Sequence, residues 1–316
     1  MKILVLGSSG FIGQNIVEQF EPMSGFELFA ADIEPSKFVR AKKFYKTDVT
    51  VESELTKLCH ELQPDIIINL AARTDLSGRS EADYYCNYKI VQNLVNILKI
   101  HNDAKLIHFS SMLADACFAN LSNDMGVVRY GESKSHGEKI LLNLDEDIRS
   151  RITVLRPTSI WGRYFHEPYI NFFRSVKHQR YLNIGKRRYK SFGYVGSVIT
   201  QVLQVINQWP EGRLYIVGDP EPYEIEEFSD QIADAFSVRR PRVVPRIVLL
   251  AISWGLSKVY VDTKNPLPKR RLNNLLNPIV YRPTDIEYAY LSEKEEIHKA
   301  IQDTVRWMKE QSNYVN

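Results

Sequence analysis

Residues 2–20, KILVLGSSGFIGQNIVEQF, contain the pattern that decides the fold. The mostly apolar run 2–6 is typical of a strand that is buried on both faces. Residues 11–20 have apolar side chains at three- and four-residue spacing, which indicates an amphipathic helix packed on that strand. The glycine-rich loop at 7–13 connects the two elements without any intervening segment. This opening predicts a strand–loop–helix unit at the start of a parallel α/β sheet.

The loop GSSGFIG places Gly7, Gly10 and Gly13 three residues apart. Glycines at such positions allow a tight turn, a close approach of the backbone to a pyrophosphate, and close packing of the helix on the strand. The first backbone N–H groups of the helix and the positive end of its dipole favour an anion there. We therefore expect these glycines, with Phe11 and Ile12, to contact a dinucleotide.

An acidic residue follows this loop at the distance that dinucleotide binding requires. Asp32 ends the second predicted strand, 19 residues beyond Gly13. A carboxylate at this point accepts hydrogen bonds from the ribose of the adenosine and repels a 2′-phosphate, so NAD is favoured over NADP. The alternative is that Asp32 only caps a turn before Pro35.

Short apolar runs alternate with amphipathic segments along most of the chain, which is typical of parallel strands joined by helices. The predicted strands are 2–6, 26–31, 43–46, 65–70, 104–110, 151–156 and 213–217, and the predicted helices are about 11–20, 51–62, 81–101, 130–143, 196–208 and 293–311. The fold class is α/β, a doubly wound parallel sheet of the Rossmann type with a smaller, interleaved C-terminal substrate lobe.

The chain has 316 residues, more than the ~250–300 at which a single core usually stops growing. After residue 162 the alternation weakens, and Pro, Arg, Asn and Tyr become more frequent. We expect an NAD-binding domain at 1–162 plus 193–219 and a substrate-binding lobe at 163–192 plus 220–316.

Composition excludes several classes of protein. Hydrophobic residues make up 44% and charged residues 25%, as in ordinary globular proteins. A net charge of +3 does not favour nucleic acid as a partner. Three cysteines without a CxxC pair and scattered histidines indicate no disulfide framework and no metal site. The short apolar start and the absence of a ~20-residue apolar run lead us to expect a cytoplasmic protein.

A second motif carries the chemistry. Tyr130 and Lys134 form Tyr-x-x-x-Lys within YGESKSHGE, so both side chains share one face of a helix. The ammonium is expected to favour the ionised phenol, which at its ordinary pKa near 10 is a poor base. Ser111 follows the fifth predicted strand, at the edge where α/β sheets bind ligands, and could orient a reacting oxygen.

Further motifs lie along nearly the whole chain: KTDVT at 46–50, NLAAR at 69–73, NYKIVQNLV at 87–95, LRPTSIWG at 155–162, KSFGYV at 190–195 and TVRWMKE at 304–310. Together with GSSGFIG and YGESK, they make the sequence similar to the extended short-chain dehydrogenase/reductases, the NAD-dependent epimerase/dehydratase group that modifies nucleotide-sugars.

The resemblance implies a set of site residues. Cofactor contacts are implied for Asp48, Val49, Leu70, Ala71, Ala72, Asn87, Tyr130, Lys134 and Pro157. Substrate contacts are implied for Ser159 and for Lys190, which stands where the family has an arginine that grips the substrate diphosphate; the alternative for Lys190 is a solvated lysine. The family also pairs into homodimers, through helices that match 81–101 and 130–143, and polysaccharide biosynthesis is the expected setting.

The resemblance also implies a mechanism. Tyr130 would remove the proton of a sugar hydroxyl, Lys134 would hold the nicotinamide ribose, and Ser111 would steady the oxygen while hydride passes to NAD. Met112 and Leu113 occupy the positions where the dehydratases have an acid and a base, and neither can transfer a proton. A sugar 4-epimerase is therefore favoured, with an NAD(H)-using ketoreductase or dehydrogenase as the alternative.

The charge is unevenly spread. Residues 239–271 hold nine Lys or Arg and one acid, a net +8, which leaves −5 for the rest of the chain. RIVLLAISWGLSKVY at 246–260 could form a basic amphipathic helix on a membrane, with a lipid-diphosphate sugar as substrate. The favoured interpretation is that it packs in the substrate lobe and that its arginines meet nucleotide phosphates or solvent. A non-catalytic NAD(H)-binding regulator is the alternative from another class.

Overall fold

A computed structural model describes residues 1–115, 124–184, 187–210, 212–245, 280–281 and 296–311 of the chain. The strands are β1 (Lys2–Leu6), β2 (Glu27–Asp32), β3 (Phe44–Lys46), β4 (Ile66–Asn69), β5 (Lys105–Phe109), β6 (Ile152–Pro157), β7 (Ser159–Trp161), β8 (Leu182–Asn183), β9 (Tyr189–Lys190), β10 (Phe192–Tyr194), β11 (Arg213–Val217), β12 (Tyr223–Glu224) and β13 (Arg242–Val243).

The α-helices are α1 (Phe11–Phe20), α2 (Glu52–Leu62), α3 (Tyr85–Ile100), α4 (Met125–Leu142), α5 (Glu146–Arg149), α6 (Tyr169–Lys177), α7 (Val195–Gln208), α8 (Ile225–Phe236) and α9 (Ile297–Glu310). Two 3₁₀ turns complete the description, at Glu81–Tyr84 and Met112–Ala114.

Seven strands form the central sheet, in the order β3-β2-β1-β4-β5-β6-β11, and all neighbours are parallel. At the middle strand, Leu4 of β1 lies opposite Phe29 of β2 on one side and Ile67 of β4 on the other. The chain reverses its direction of travel across the sheet between β1 and β4. Because ligands of such sheets bind outside the carboxyl ends of the strands at this reversal, the topology places a crevice there.

Helices cover both faces of the sheet. Side chains that alternate along β1 enter two separate cores: Ile3 and Val5 pack with α1 and α7, whereas Leu4 and Leu6 pack with α2 and α3. This arrangement explains why the strands are nearly continuous apolar runs. The predicted doubly wound α/β class is confirmed, and each of the seven predicted strands is present in the sheet.

The helices around Tyr130 and Asn87 differ from their predicted bounds for identifiable reasons. The helix that carries Tyr130 begins at Met125, five residues before the predicted start, because the Asp124 side chain accepts a hydrogen bond from Gly126 N and caps it. The predicted helix 81–101 is a 3₁₀ turn followed by α3, and the turn begins with a capping box in which Ser80 and Asp83 hydrogen-bond reciprocally.

The small elements outside the sheet were not predicted. Helices α6 and α8 pack on one another through Phe172, Phe173 and Phe228, and short strands pair as β7 with β10 and β9 with β12. Trp161 lies at the centre of this aromatic group and is fully buried. The division of the chain into two domains stays a prediction.

Several expectations concern residues outside this description. The basic segment 239–271 is described only to residue 245, so the candidate amphipathic helix 246–260 lies beyond it, as does Cys117. Within the parts of the chain that the structure describes, every helix is too short or too polar to span a bilayer. Among those same residues, no three His, Cys, Asp or Glu side chains are grouped so that they could hold a metal ion.

Candidate functional site

The glycine loop has the geometry that a tight turn and close packing require. Gly7 has a φ of +79°, and a Cβ on it would lie 2.5 Å from the backbone N of Ala71. A Cβ on Gly13 would lie 2.3 Å from the carbonyl oxygen of Gly7. Gly10 is exposed and caps α1, and a Cβ there would meet only Gly7 O, at 3.2 Å. Gly7 and Gly13 are therefore required by the fold, whereas the absence of a side chain at Gly10 leaves the helix N-terminus open to a ligand.

Asp32 connects the second strand to this loop. Its Oδ2 accepts a hydrogen bond from Ser9 N at 2.9 Å, and its Oδ1 accepts one from Ile33 N at 2.7 Å. The carboxylate is half-buried at the carboxyl end of β2. A cavity of about 380 Å³ lies alongside, lined in part by Ser9, Ser36 and Arg40. Asp32 thus lies at the loop that would carry the pyrophosphate, where the sequence places it.

The segment with Asp48 and Val49 is held in place by the neighbouring helix. Val49 is buried, and Asp48 accepts hydrogen bonds from the backbone and side chain of Thr50. From α3, Asn93 donates to the carbonyls of Val49 and Thr50 at 2.9 and 3.0 Å. Asn93 therefore fixes this loop. Its position in the motif NYKIVQNLV is the sequence signal that could have indicated this role.

Leu70, Ala71 and Ala72 follow β4 at the same edge. Leu70 N donates to Leu6 O at 2.9 Å, which carries the parallel pairing of β4 and β1 one residue further. All three residues are half-buried, and Ala71 lies directly against Gly7. The segment therefore borders the crevice on the side opposite Asp32.

Asn87, on α3, braces the loop that follows β4. Its side chain accepts from Arg73 N at 2.8 Å and donates to Arg73 O and to Ser133 Oγ at 3.1 and 3.0 Å. These bonds tie the loop after β4 to α4, the helix that carries Tyr130. Its predicted contact with the cofactor stays a prediction.

Two other residues predicted to touch the cofactor lie against the protein core. Phe11 and Ile12, at the start of α1, are half-buried and pack on the core beneath the helix; the Phe11 ring centroid is 6.4 Å from that of Phe165. Pro157 ends β6, where it pairs with Val217 of β11.

The structure brings Ser111, Tyr130 and Lys134 together. Ser111 follows β5, and its side chain hydrogen-bonds the hydroxyl of Tyr130. Lys134 lies one helical turn after Tyr130 and donates from Nζ to Phe109 O, at the end of β5, at 3.0 Å. All three side chains are at least nine-tenths buried. The expected group therefore lies at the carboxyl edge of the sheet.

The electrostatics of this group differ from the expectation. Burial raises the pKa of Tyr130 to about 12, and the hydrogen bond from Ser111 only partly opposes this. Burial lowers the pKa of Lys134 to about 8, with the Glu138 carboxylate acting in the opposite direction. The predicted lowering of the Tyr130 pKa by Lys134 is not seen, because the ammonium is directed at the Phe109 carbonyl and loss of solvation dominates.

The predicted substrate contacts Ser159 and Lys190 both contact Tyr169, a residue that the sequence analysis did not identify. Tyr169, the first residue of α6, donates its hydroxyl to Ser159 Oγ at 2.8 Å. The Lys190 ammonium lies 5.2 Å from the centroid of the Tyr169 ring and 4.8 Å from that of Phe192. Tyr169 also acts electrostatically on Tyr130, so this group borders the base. No pattern in the sequence marks Tyr169.

A buried ionic network supports the catalytic helix. Arg156, at the end of β6, forms two hydrogen bonds with Glu138 of α4, at 2.8 and 2.7 Å. It also contacts Asp115 Oδ2 at 3.1 Å and the Tyr281 hydroxyl at 3.2 Å. The Arg156 and Glu138 side chains are 11% and 5% exposed, so the pair lies inside the protein. Arg156 lies within LRPTSIWG, but its partners are not readable from the sequence.

The residues around the crevice fit a dinucleotide. Gly10 leaves the start of α1 exposed, and Asp32 lies 19 residues beyond Gly13, at the end of the next strand. At the same edge of the sheet, the buried hydroxyls of Ser110 and Thr158, which directly follow β5 and β6, have no hydrogen-bond partner among the described residues. Buried hydroxyls without a protein partner are suited to a bound polar group.

A glycine loop, a strand-end carboxylate and a buried Tyr–Lys pair on one sheet edge define a dinucleotide-binding enzyme of the short-chain oxidoreductase class. Residues 3–218 match the model of the NAD dependent epimerase/dehydratase family. The chain belongs to this family, and its cofactor is NAD. The predicted family, enzyme class and cofactor are confirmed.

The chain is similar to curated proteins with different enzymatic activities. The chain is 22% identical over 237 residues to dTDP-4-dehydrorhamnose reductase of Aggregatibacter actinomycetemcomitans, covering 73% of this chain and 74% of the relative. It is 22% identical over 249 residues to UDP-glucose 4-epimerase of Vibrio cholerae, covering 74% and 75%. Two other curated relatives are matched over only 54% and 51% of their own length.

Among solved structures, the fold is similar to UDP-glucose 4-epimerase of Thermotoga maritima, with a TM-score of 0.69 at 17% identity and coverage of 99% of this chain and 100% of that one. At this identity the likeness establishes the fold. Together with the family model, the comparisons place the chain in the NAD dependent epimerase/dehydratase family.

Proposed function

We propose that this protein is a nucleotide-sugar epimerase that acts at carbon 4 of the sugar by transient hydride transfer to NAD. The observation that supports it is the meeting of Ser111 with Tyr130 and Lys134 at the carboxyl edge of the sheet, next to the glycine loop. Met112 and Leu113, which follow the serine, are half-buried and carry no proton-transfer group. The site can therefore support the transfer of one proton and one hydride. Met112 and Leu113 supply neither the acid nor the base that elimination of water requires.

NAD, when bound, supplies the carbon that accepts and returns the hydride. Tyr130 removes the proton of the sugar hydroxyl, and Ser111, which already hydrogen-bonds the phenol, steadies the reacting oxygen. Lys134 is buried one turn away and would hold the nicotinamide ribose. A positive charge brought near the phenol lowers its pKa from the value of about 12 that burial imposes. Binding of the oxidised cofactor thus prepares Tyr130 to act as a base.

The substrate would lie beside this group. Lys190 is half-buried against two aromatic rings, which gives a single positive charge a fixed position suited to a diphosphate. Lys190 contacts the Tyr169 ring, the Tyr169 hydroxyl donates to Ser159, and Tyr169 interacts electrostatically with Tyr130. A nucleotide-sugar whose diphosphate meets Lys190 would present its sugar to Tyr130.

A second candidate is a 4-ketoreductase that uses NADH. A phenol whose pKa is raised to about 12 is protonated at neutral pH and is ready to give its proton to a carbonyl oxygen, which is the direction of reduction. Similarity to a dTDP-4-dehydrorhamnose reductase favours the same direction. The epimerase and the reductase use the same three side chains, so turnover must separate them.

The test is incubation of the purified protein with UDP-, GDP-, dTDP- and CDP-sugars, including UDP-glucose, and with the corresponding 4-keto-sugars where they can be prepared. NMR follows the sugar. Epimerised product without added cofactor supports the epimerase, because the hydride returns to the same molecule. Product that requires stoichiometric NADH supports the reductase, and no conversion of any sugar under either condition contradicts both.

The matched variant is Tyr130→Phe, which keeps the ring against Tyr84 at 6.0 Å and removes the hydroxyl. Loss of the proton-transfer group lowers turnover by roughly 10²–10⁴-fold, with NADH binding retained. Tyr45→Phe, a half-buried tyrosine of β3 remote from the site, serves as the control. Unchanged biological activity of Tyr130→Phe would favour the NAD(H)-binding regulator.

We further propose a cytoplasmic homodimer formed through α3 and α4, working in polysaccharide biosynthesis. An aromatic patch supports this surface: the Tyr88 ring lies 4.9 Å from Tyr85 and 4.9 Å from His136, and Tyr85 is 50% exposed. Light scattering on Tyr85→Asp checks it, with dissociation as the expected result. Sedimentation with anionic liposomes at low and high salt tests the remaining alternative, a lipid-diphosphate sugar at the membrane surface.

A further inference from the structure

Tyr281 belongs to the late part of the chain and lies inside the catalytic region. It is 2% exposed, and its hydroxyl contacts Arg156 and Asp115, which precede it by 125 and 166 residues. Its side chain packs with Ile216, Met112 and Leu113. Two of these neighbours belong to the turn that directly follows Ser111.

The polar atoms of Tyr281 connect two parts of the site. Its backbone N donates to Ser191 Oγ at 2.9 Å, and Ser191 is the residue after Lys190. Its hydroxyl donates to Asp115 Oδ2 at 3.1 Å and accepts from Arg156 at 3.2 Å. Tyr281 therefore spans from the predicted diphosphate contact to the end of the serine turn.

The same turn is held from the opposite side by the catalytic helix. Gly131, the residue after Tyr130, packs so closely that a Cβ on it would lie 2.2 Å from Leu113 O. Ser111 Oγ accepts from Leu113 N at 3.2 Å, so the orientation of the serine hydroxyl depends on where Leu113 lies. The turn is thus clamped between Gly131 and Tyr281, and Asp115 is its point of attachment.

We propose that Tyr281 is a positioning residue that holds the 111–115 turn, and with it the Ser111 hydroxyl, against Tyr130 by way of Asp115 and Arg156. That this matters for catalysis rests on the proposed function. Asp115 completes the clamp, because its Oδ2 accepts hydrogen bonds from both the Tyr281 hydroxyl and the Arg156 guanidinium. The late part of the chain then completes the catalytic site as well as the substrate lobe.

The first test is hydrogen exchange by mass spectrometry on peptides that cover 110–115, in Tyr281→Phe and Asp115→Asn. Both changes keep the size of the side chain and remove the charge-assisted bond. We expect the amides of this turn to exchange about tenfold faster, because the loss of such a bond raises the population of the open turn. Tyr189→Phe, whose exposed hydroxyl is 3.4 Å from Glu224, is the control and should leave these peptides unchanged.

The second test is kinetic, with whichever sugar of the panel is converted. Tyr281→Phe should lower kcat by roughly tenfold with KM changed by less than about twofold, since a displaced Ser111 affects the transition state rather than ground-state binding. The double variant Tyr281→Phe/Asp115→Asn should be no slower than the slower single variant, because both changes break one connection. Urea unfolding of Tyr281→Phe is compared with that of the control.

Unchanged exchange of 110–115 in both single variants overturns the proposal, whatever the activity. Faster exchange with unchanged kcat also overturns it, because the turn would then not position Ser111. An equal rise in exchange throughout the protein indicates general destabilisation and counts against the proposal. If no sugar of the panel is converted by the unmodified protein, the proposed function fails, and the exchange rates by themselves decide whether Tyr281 holds the turn.

Discussion

The guanidinium of Arg156 and the carboxylate of Glu138 form a bidentate pair, with Nε to Oε1 at 2.8 Å and Nη2 to Oε2 at 2.7 Å. Glu138 lies two turns after Tyr130 on α4, and Arg156 is the penultimate residue of β6. The pair therefore fixes the catalytic helix to the sheet at the edge where the chemistry would occur. A planar fork that meets a carboxylate in this way sets position and angle together.

Replacing one member of this pair should be costly. Arg156→Met leaves the Glu138 carboxylate buried without its bidentate partner, and we expect a loss of about 3–5 kcal/mol in the free energy of unfolding. The double variant Arg156→Met/Glu138→Leu should recover part of this loss, because the buried Glu138 carboxylate is removed together with its partner, while Asp115 keeps the Tyr281 hydroxyl and Lys134 loses a favourable charge. Urea unfolding measures both, and a double variant as unstable as the single one would contradict the explanation.

The three glycines of the loop should respond differently to alanine. Gly13→Ala forces a Cβ to within 2.3 Å of Gly7 O and should lower the free energy of unfolding by more than about 2 kcal/mol. Gly10→Ala meets only one atom, at 3.2 Å, so stability should change by less than about 1 kcal/mol. NADH binding to Gly10→Ala, followed by fluorescence, should nevertheless weaken by more than about tenfold, since the Cβ occupies the approach to the helix N-terminus. Full binding by Gly10→Ala would mean that the pyrophosphate lies elsewhere.

Asp32 should control the choice of cofactor. Asp32→Asn removes the negative charge and keeps an acceptor for the Ser9 amide, which in the unmodified protein donates to Asp32 Oδ2 at 2.9 Å. We expect the preference for NADH over NADPH to fall by at least about tenfold, because the repulsion of a 2′-phosphate is lost. Calorimetric titration with each cofactor gives the ratio. Glu34→Gln, an exposed acid two residues on, is the control and should leave the ratio unchanged.

Burial of Lys134 predicts a pH-dependent stability. Its pKa falls from an ordinary 10.5 to about 8, so the unfolded chain binds more protons between these values and the stability of the native protein rises with pH across that range. In Lys134→Met this contribution is absent. The difference between the two proteins should be constant below pH 8 and should shift by roughly 3 kcal/mol in favour of the unmodified protein between pH 8 and 10.5. Urea unfolding across this range measures it, and a difference independent of pH would show that the ammonium is solvated.

Most of the sheet could be predicted because a strand buried on both faces is almost continuously apolar, as β4 is from Ile66 to Ile68. The site residues Tyr130, Lys134 and Ser111 were predictable because a motif at one-turn spacing and a strand end each constrain position locally. The pKa of Tyr130 could not be predicted from the sequence, because it depends on how far the surrounding elements exclude water. Helices α6 and α8 were missed for a related reason: they are held by aromatic packing around Trp161 between distant parts of the chain.

Local sequence patterns were sufficient to predict the parallel α/β sheet, the nucleotide loop with Asp32, and the family, because each depends on residue types at short and fixed spacing. Long-range packing was needed to find that Asn87 and Asn93 brace the loops of the crevice, that Tyr169 joins Ser159 to Lys190, and that Tyr281 contacts Asp115. These contacts join residues far apart in the chain, and no local pattern records them. They exist because folding buries polar groups that must then find partners, and the partners are whichever side chains the fold brings near.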